Sequence, residues 1–265
     1  MSAKPVIESR TNPLLKHAGA VAAGREKGAV LLEGERLVTD ALAAGWQLEL
    51  LLVDEERGGD PERFVGAVGE CRVVAGGLLD RVSALKAAPG VLAVASAPAP
   101  KELGSLELAA DALVLVVAGI ADPGNLGALA RSAEAAGVGA LCLLPGGVSP
   151  WNSKALRGSM GSLLRLPVVR AESAAQLVEQ FEALGVRSVT ARTRGGSNWR
   201  TADWSGRVAL WVGAETGQDP DVMRAFDGVT IPMSGSAESL NVTVATSLLL
   251  FAADRVAGRA EGDAS

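Results

Sequence analysis

Apolar runs alternate with helix-compatible stretches along this chain, and residues 111–145 hold the clearest case. Leu113 to Val117 is a continuous apolar run, followed by a turn rich in Gly, Pro and Asn. A helix-compatible stretch over 126–136 comes next, then Gly137 and a second apolar run over 140–144. This pattern predicts strand, loop, helix, strand. The loop then falls at the carboxyl end of a strand, where open α/β sheets bind ligands. Arg131 interrupts a helix whose other positions are mostly small and apolar.

Upstream, the spacing predicts helices near 14–24 and 35–44 and a buried strand over 48–53 that ends at Asp54. Arg57-Gly58-Gly59-Asp60-Pro61 is a strong turn signal. Residues 62–69 read as helical, 71–74 as a strand, 78–85 as a short helix and 91–95 as a last strand. Residues 1–96 therefore form a small α/β unit. Ala97-Pro98-Ala99-Pro100-Lys101 opens an extended linker over 97–110.

The second unit runs over 111–258. Its pattern predicts a helix near 153–157, a strand over 166–169, a helix over 174–184 and a strand over 186–191. A loop over 193–198, a buried strand over 208–212 and a strand over 228–233 broken by Pro232 follow. The last element, 240–256, is apolar on most faces, so as a helix it must be buried in the domain or against a second subunit. Residues 259–265 are a polar tail.

Composition narrows the class. With 265 residues and 48% hydrophobic content, the chain supports a real core. A net charge of −5 gives no bulk nucleic-acid signature, so any RNA contact rests on a local basic patch. Cys71 and Cys142 lack metal-ligand spacing, and Cys142 within an apolar run reads as a buried thiol. No metal is expected. The N-terminus lacks a secretory apolar core and no run is long enough to span a bilayer, so the expected location is cytoplasmic.

Four stretches of the second unit carry unusual chemistry. Pro123-Gly124-Asn125 with Gly127 allows backbone to approach a ligand, and Asn125 offers donor and acceptor. The glycine fingerprint of dinucleotide sites is absent there, which argues against a Rossmann dehydrogenase. Gly213-Ala214-Glu215-Thr216-Gly217 follows a strand, and Glu215 is placed to orient a polar group or an arginine. Ile231-Pro232-Met233-Ser234-Gly235-Ser236 stops another strand. In Glu238-Ser239-Leu240-Asn241-Val242-Thr243, Ser239 is a good N-cap, and Asn241 and Thr243 put polar groups at the mouth of an apolar helix.

These stretches, in this order, resemble the three motifs of SpoU-type RNA ribose methyltransferases, the TrmH branch of the SPOUT superfamily. The resemblance covers nearly all of the second unit and extends to Lys154, Arg157, Ser159 and Gly161. Residues 1–96 resemble, more weakly, the small L30e-like ribosomal-protein domain by which many members bind RNA. The resemblance implies an α/β SPOUT domain with a deep trefoil knot, bent S-adenosylmethionine held in that knot, a homodimer formed through the C-terminal domain, and a ribose 2′-hydroxyl as acceptor. It places Gly213, Ile231, Met233 and Leu240 around the cofactor. It places Arg131, Asn125, Glu215, Asn241 and Thr243 around the reaction centre, with Arg131 on the catalytic arginine. Thr243 stands where the family usually has serine, and Gln218 where it usually has a glycine.

RNA-binding candidates are Arg10, Lys16, Arg25, Lys27 and Arg36 in the first unit and Lys154, Arg157 and Arg165 in the second. His17, the single histidine, is expected at the surface or facing RNA. A guanidinium gives up its proton only in strongly alkaline solution, which favours Arg131 as a charged stabiliser of the developing alkoxide over a general base. The expected substrate is 23S ribosomal RNA. Transfer RNA is the alternative, as is a non-catalytic RNA-binding or ribosome-assembly protein on the same fold.

Overall fold

The structure, a computed structural model, describes residues 5–64, 66–83, 85–213 and 220–253. The chain divides into two compact units. One holds Met1–Ala99 with Trp151–Leu164, and the other Pro100–Pro150 with Arg165–Ser265. The segment Trp151–Leu164, which the linear pattern assigns to the second unit, is thus part of the first.

In the first unit the elements are α1 (Pro13–Ala22), β1 (Ala29–Glu33), α2 (Glu35–Ala43), β2 (Leu48–Asp54), β3 (Val68–Val74) and β4 (Val91–Ser96). The sheet order is β1-β4-β2-β3, with β4 antiparallel to both neighbours and β2 parallel to β3. Asn12 caps α1 by accepting from the Leu14 N–H at 2.9 Å, and Pro13 supplies a preset φ at the first turn. Leu15, Ala18 and Val21 form the buried stripe of that helix.

Two expectations fail here. Residues 62–69 are not a helix: a single 3₁₀ turn, Pro61–Phe64, gives way to β3, which starts at Val68. Glycine at 66 and 69 weakens a helix, and the β-branched residues at 68, 73 and 74 favour the strand. Among the described residues of 78–85 there is likewise only a 3₁₀ turn, Leu79–Arg81. The pattern also leaves out strand β1, because its short apolar run sits against α2 without a turn signal of its own.

The turn after β2 is tied by charge. Asp54, 1% exposed, accepts from the backbone N–H groups of Glu56, Arg57 and Gly77 and from the Arg57 guanidinium at 3.0 Å. Arg57 also donates to Asp80, which accepts from the Ala88 N–H. Gly58 is required here, since a Cβ would lie 2.4 Å from Val53 Cγ1 and 2.5 Å from the Asp54 carbonyl oxygen.

In the second unit the elements are β5 (Leu113–Val117), α3 (Pro123–Ala135), β6 (Ala140–Leu143), β7 (Val168–Arg170), α6 (Ala174–Ala183), β8 (Arg187–Arg192), β9 (Ser197–Asn198), β10 (Val208–Val212), β11 (Asp227–Thr230) and α7 (Val242–Ala252). Two short helices intervene in the chain, α4 (Ser153–Gly158) and α5 (Ser162–Arg165). The sheet order is β7-β6-β5-β10-β8-β11-β9, and every pair is parallel. β5 and β10 are buried along their whole length, the signature of parallel strands covered on both faces. Trp211 fills the core beside Phe181 and Phe226 and donates its indole N–H to Ser188 Oγ at 3.1 Å. Cys142 is fully buried, and that burial pushes its thiol up to about 12, so it packs as a small apolar group.

Helix α7 starts later than expected. Its cap is Asn241, whose side chain accepts from the N–H groups of Thr243 and Val244, and not Ser239. Among the described residues no helix is long and apolar enough to cross a membrane.

Burial by itself raises the carboxyl of Asp54. The Arg57 guanidinium and the three backbone donors outweigh it and hold that carboxyl below its ordinary value. The Ala88 N–H and then Arg57 do the same for Asp80. Carboxylates lowered in the folded state contribute stability that is complete above the unfolded value of about 3.9 and is lost as pH falls through the folded ones. Thermal melts should therefore show the first unit losing stability steeply below about pH 4. Asp54→Ala should flatten that slope and cost about 3 kcal/mol in urea unfolding at pH 7.

Candidate active site

The parallel register brings the carboxyl ends of β5, β8, β10 and β11 to one edge of the sheet. Val212 pairs with Val117, and Thr230 with Arg192. A cleft of about 610 Å³ opens at this edge. Its walls are the end of β8 with Thr193 and Arg194, the Val212–Gly213 step after β10, and Ile231 and Met233 after β11. Ser239, Leu240 and the α7 face carrying Val242, Ala245 and Leu249 complete it. All four positions assigned to the cofactor, Gly213, Ile231, Met233 and Leu240, line this one cleft.

The described positions assigned to the reaction centre, Asn125, Arg131, Asn241 and Thr243, lie on or cap two packed helices, α3 and α7. α3 is capped by Asp122, whose carboxylate accepts from the Asn125 N–H at 2.9 Å. The Thr243 hydroxyl on α7 lies 3.5 Å from both the backbone and the side-chain oxygen of Asn125, so the two helix N-termini meet at Asn125, Asn241 and Thr243. At 3.5 Å this is a weak bond. Further along, Ser247 Oγ and Ser132 Oγ are 2.7 Å apart, a firm cross-helix bond. Arg131 precedes Ser132 on α3, exposed, with no hydrogen bond or ion pair among the described residues. Arg131, Asn125, Asn241 and Thr243 do not line the cleft itself. Glu215 and the altered spacing at Gly217 and Gln218 lie outside the described residues.

The RNA-binding candidates separate into two groups. Arg10, Lys16, Arg25, Lys27, Arg36 and Lys154 are exposed. Arg36 lies 4.0 Å from Asp40 across one helical turn, a weak surface pair. Arg165 donates to Glu134 at 2.8 Å. Arg157 is different. It forms an ion pair with Glu33, whose side chain is fully buried and also accepts from Ser83 Oγ at 2.6 Å. Both partners belong to the first unit, so Arg157 anchors α4 to β1. Trp151 packs edge-on to Trp46 at 5.2 Å in the same unit. Nothing local marks Glu33 as Arg157's partner, because the two are far apart in the chain. His17 is half-buried and hydrogen bonded to Glu26 at 3.0 Å.

The hydrophobic pattern does not single out the end of β8. Thr193 and Arg194 form a wall of the cleft, and Met223 and Arg224 also line it. The available signal was the position itself: residues just past a predicted strand, in a run dense with arginine.

Among the described residues, an all-parallel, seven-stranded sheet with a ligand-sized cleft at its carboxyl edge is the architecture of an α/β ligand-binding or enzyme domain. Residues 112–251 match the SpoU rRNA Methylase family, and residues 23–93 match an MRM3-like substrate binding domain. The chain belongs to the SpoU rRNA Methylase family. It is 32% identical to the 23S rRNA (guanosine(2553)-2′-O)-methyltransferase RlmP of Bacillus subtilis, across 92% of this chain and 97% of RlmP. A solved AdoMet-bound rRNA methyltransferase from Sinorhizobium meliloti superposes with a TM-score of 0.85 at 27% identity, covering 95% of this chain and 97% of that one. The SpoU methyltransferase AviRb from Streptomyces viridochromogenes, solved with AdoMet, gives 0.80 at 28% identity over 91% and 97%.

The Glu33–Arg157 pair yields a stability test. Glu33→Ala leaves a half-buried guanidinium without its counter-charge and should cost about 3–5 kcal/mol in denaturant unfolding. The paired change Glu33→Met with Arg157→Leu should recover most of that loss.

Proposed function

We propose that this chain transfers a methyl group from S-adenosylmethionine to a ribose 2′-hydroxyl of 23S ribosomal RNA. The observation that carries the reading is the convergence of Gly213, Ile231, Met233 and Leu240 on one cleft beside the paired N-termini of α3 and α7. The relatives support it, since RlmP acts on a 23S rRNA guanosine and the solved neighbours hold AdoMet.

The cleft's donor set fits that cofactor. Apolar side chains from Val212, Ile231, Leu240 and Leu249 suit an adenine ring, backbone groups at the strand ends suit its edge, and Glu238 suits hydroxyl or ammonium groups. When bound, S-adenosylmethionine supplies a methyl already activated by sulfonium. The chain's own task is then to position the acceptor oxygen and stabilise its charge. Positioning supplies on the order of 7–11 kcal/mol for well-oriented groups. Arg131, a charged donor on a rigid helix, stabilises the alkoxide that develops as the 2′-hydroxyl gives its proton to solvent water. Asn125, Asn241 and Thr243 hold the two helix ends in register around it, and Glu215 orients a polar partner.

The same reading includes a deep trefoil knot formed by the chain after β10, a substrate-binding L30e-like unit over residues 1–96, a linker over 97–110, and a cytoplasmic location. It also includes a homodimer. On α7 the side chains of Val244, Leu248 and Phe251 are 49%, 37% and 53% exposed and share one face. This is an apolar stripe that a second copy covers.

Arg131→Ala should lower methyl transfer by about 100-fold or more while the Kd for S-adenosylmethionine, measured by calorimetry, stays within about twofold. Near-normal turnover overturns the role. Mapping 2′-O-methyls in rRNA from a deletion strain tests the substrate: an unchanged 23S pattern overturns it, and a lost tRNA methyl favours the alternative. Leu248→Asp with Phe251→Asp should give a monomer in sedimentation, and a persistent dimer removes α7 as the interface.

A further inference from the structure

The run from Arg187 to Thr201 contains four arginines and no acidic residue, in a protein of net charge −5. The structure gives these arginines different tasks. Arg187 donates to the Asp203 carbonyl and pairs with its carboxylate. Arg192 spends its guanidinium on the carbonyls of Arg224 and Phe226, at 3.0 and 2.9 Å. Arg194 is exposed on the cleft wall with no partner among the described residues. Arg200 is exposed and lies over the Trp199 ring, 5.1 Å from its centroid.

The loop carrying these groups is held at several points. The Gly196 N–H donates to Thr230 Oγ1 at 3.0 Å, and the Trp199 N–H to the Thr230 carbonyl at 3.1 Å. The Trp204 indole donates to the Trp199 carbonyl, and Asn198 accepts from the Arg200 N–H. Gly196 lies directly on Gly228: a Cβ at 196 would come within 2.6 Å of the Gly228 carbonyl carbon. A pinned loop presents its cations at little ordering cost.

We propose that Arg194 on the wall of the cofactor cleft and the Arg200–Trp199 pair just past β9 form an RNA-contact platform. Arg194 meets a phosphodiester, and the Arg200–Trp199 stack receives an unpaired base. This rests on the RNA-methyltransferase reading. Single-stranded RNA is recognised by stacking of splayed bases on aromatic rings and guanidinium planes, with cations along the backbone, and both elements are present here. The location suits the chemistry, because a nucleotide presented to the cleft has neighbours that need holding just outside it. Arg157 and Arg165, each engaged by a glutamate, are poorer contacts for RNA.

The test uses the full-length protein, a 23S rRNA transcript, filter binding over a salt series and calorimetry with S-adenosylmethionine. Arg194→Ala and Arg200→Ala should each weaken RNA binding about 5- to 10-fold and reduce the salt slope by about 0.7–0.9. Trp199→Ala should cost about 10-fold, with Trp199→Phe recovering most of it. The Kd for S-adenosylmethionine should stay unchanged in Arg200→Ala, Trp199→Ala and Trp199→Phe. If RNA binding is unaltered while the wild type binds and methylates the transcript, the platform is overturned and the enzyme reading stands. If Arg194→Ala weakens cofactor binding instead, Arg194 anchors the cofactor's carboxylate and the platform is again overturned. A wild type that neither binds nor methylates the transcript overturns both.

Discussion

β10 is hydrogen bonded to β5 on one side and β8 on the other, all three running the same way, and β8 passes the same direction to β11. Everything at the site depends on that shared polarity. Antiparallel neighbours would send alternate strand ends to opposite edges, whereas here every loop that carries unusual residues emerges at one edge. The buried faces of β5 and β10 make the register costly to change, because a one-residue slip turns every core side chain the wrong way. Rigidity in the strands thus becomes accuracy in the loops.

The second constraint is the packing of α3 against α7. Both helices are nearly free of charge on their facing sides, and small residues let them approach closely. Two hydroxyls, Ser132 and Ser247, meet across the seam and set its register. With the helices locked, their capped N-termini converge. Asn125 lies in the first turn of one, held by the Asp122 cap, and Asn241 caps the other. Polar groups at such ends satisfy backbone donors and still leave side-chain atoms for a substrate. α7 is therefore double-sided: Ala245 and Leu249 face the cleft, and Val244, Leu248 and Phe251 face outward. An apolar helix with both faces apolar reads from sequence simply as buried, which is why its exposed stripe was legible only as an alternative.

Continuous apolar runs made the central strands legible, since Leu113–Val117 and Val208–Val212 have no competing helical period. The residues that the family resemblance assigns to the cofactor come together at one cleft because each sits close after a strand or at the mouth of the apolar helix. What was not legible is set by distance along the chain. Glu33 and Arg157 are remote in sequence, and only the fold makes them a buried pair. Residues 62–69 carried an ambiguous pattern, and pairing with β2 decided for strand over helix. The arginines after β8 have the pattern of an ordinary polar loop, and only the fold gives Arg192 to carbonyls and Arg194 to the cleft.

Arginine is used in this chain in three physically distinct ways, and the contrast bears on Arg131. Arg157 is held by a buried carboxylate, and Arg192 by main-chain oxygens, so each guanidinium is already anchored to a fixed acceptor. Arg131 stands on a helix with no such engagement among the described residues. A fixed, uncommitted guanidinium stabilises charge that appears only during a reaction, because its donors need not first be withdrawn from another acceptor. It is poorly suited to remove a proton, since that would require a neutral guanidine. The helix gives Arg131 position and its uncommitted donors give it electrostatic reach, which is what the charge-stabilising role proposed for it requires.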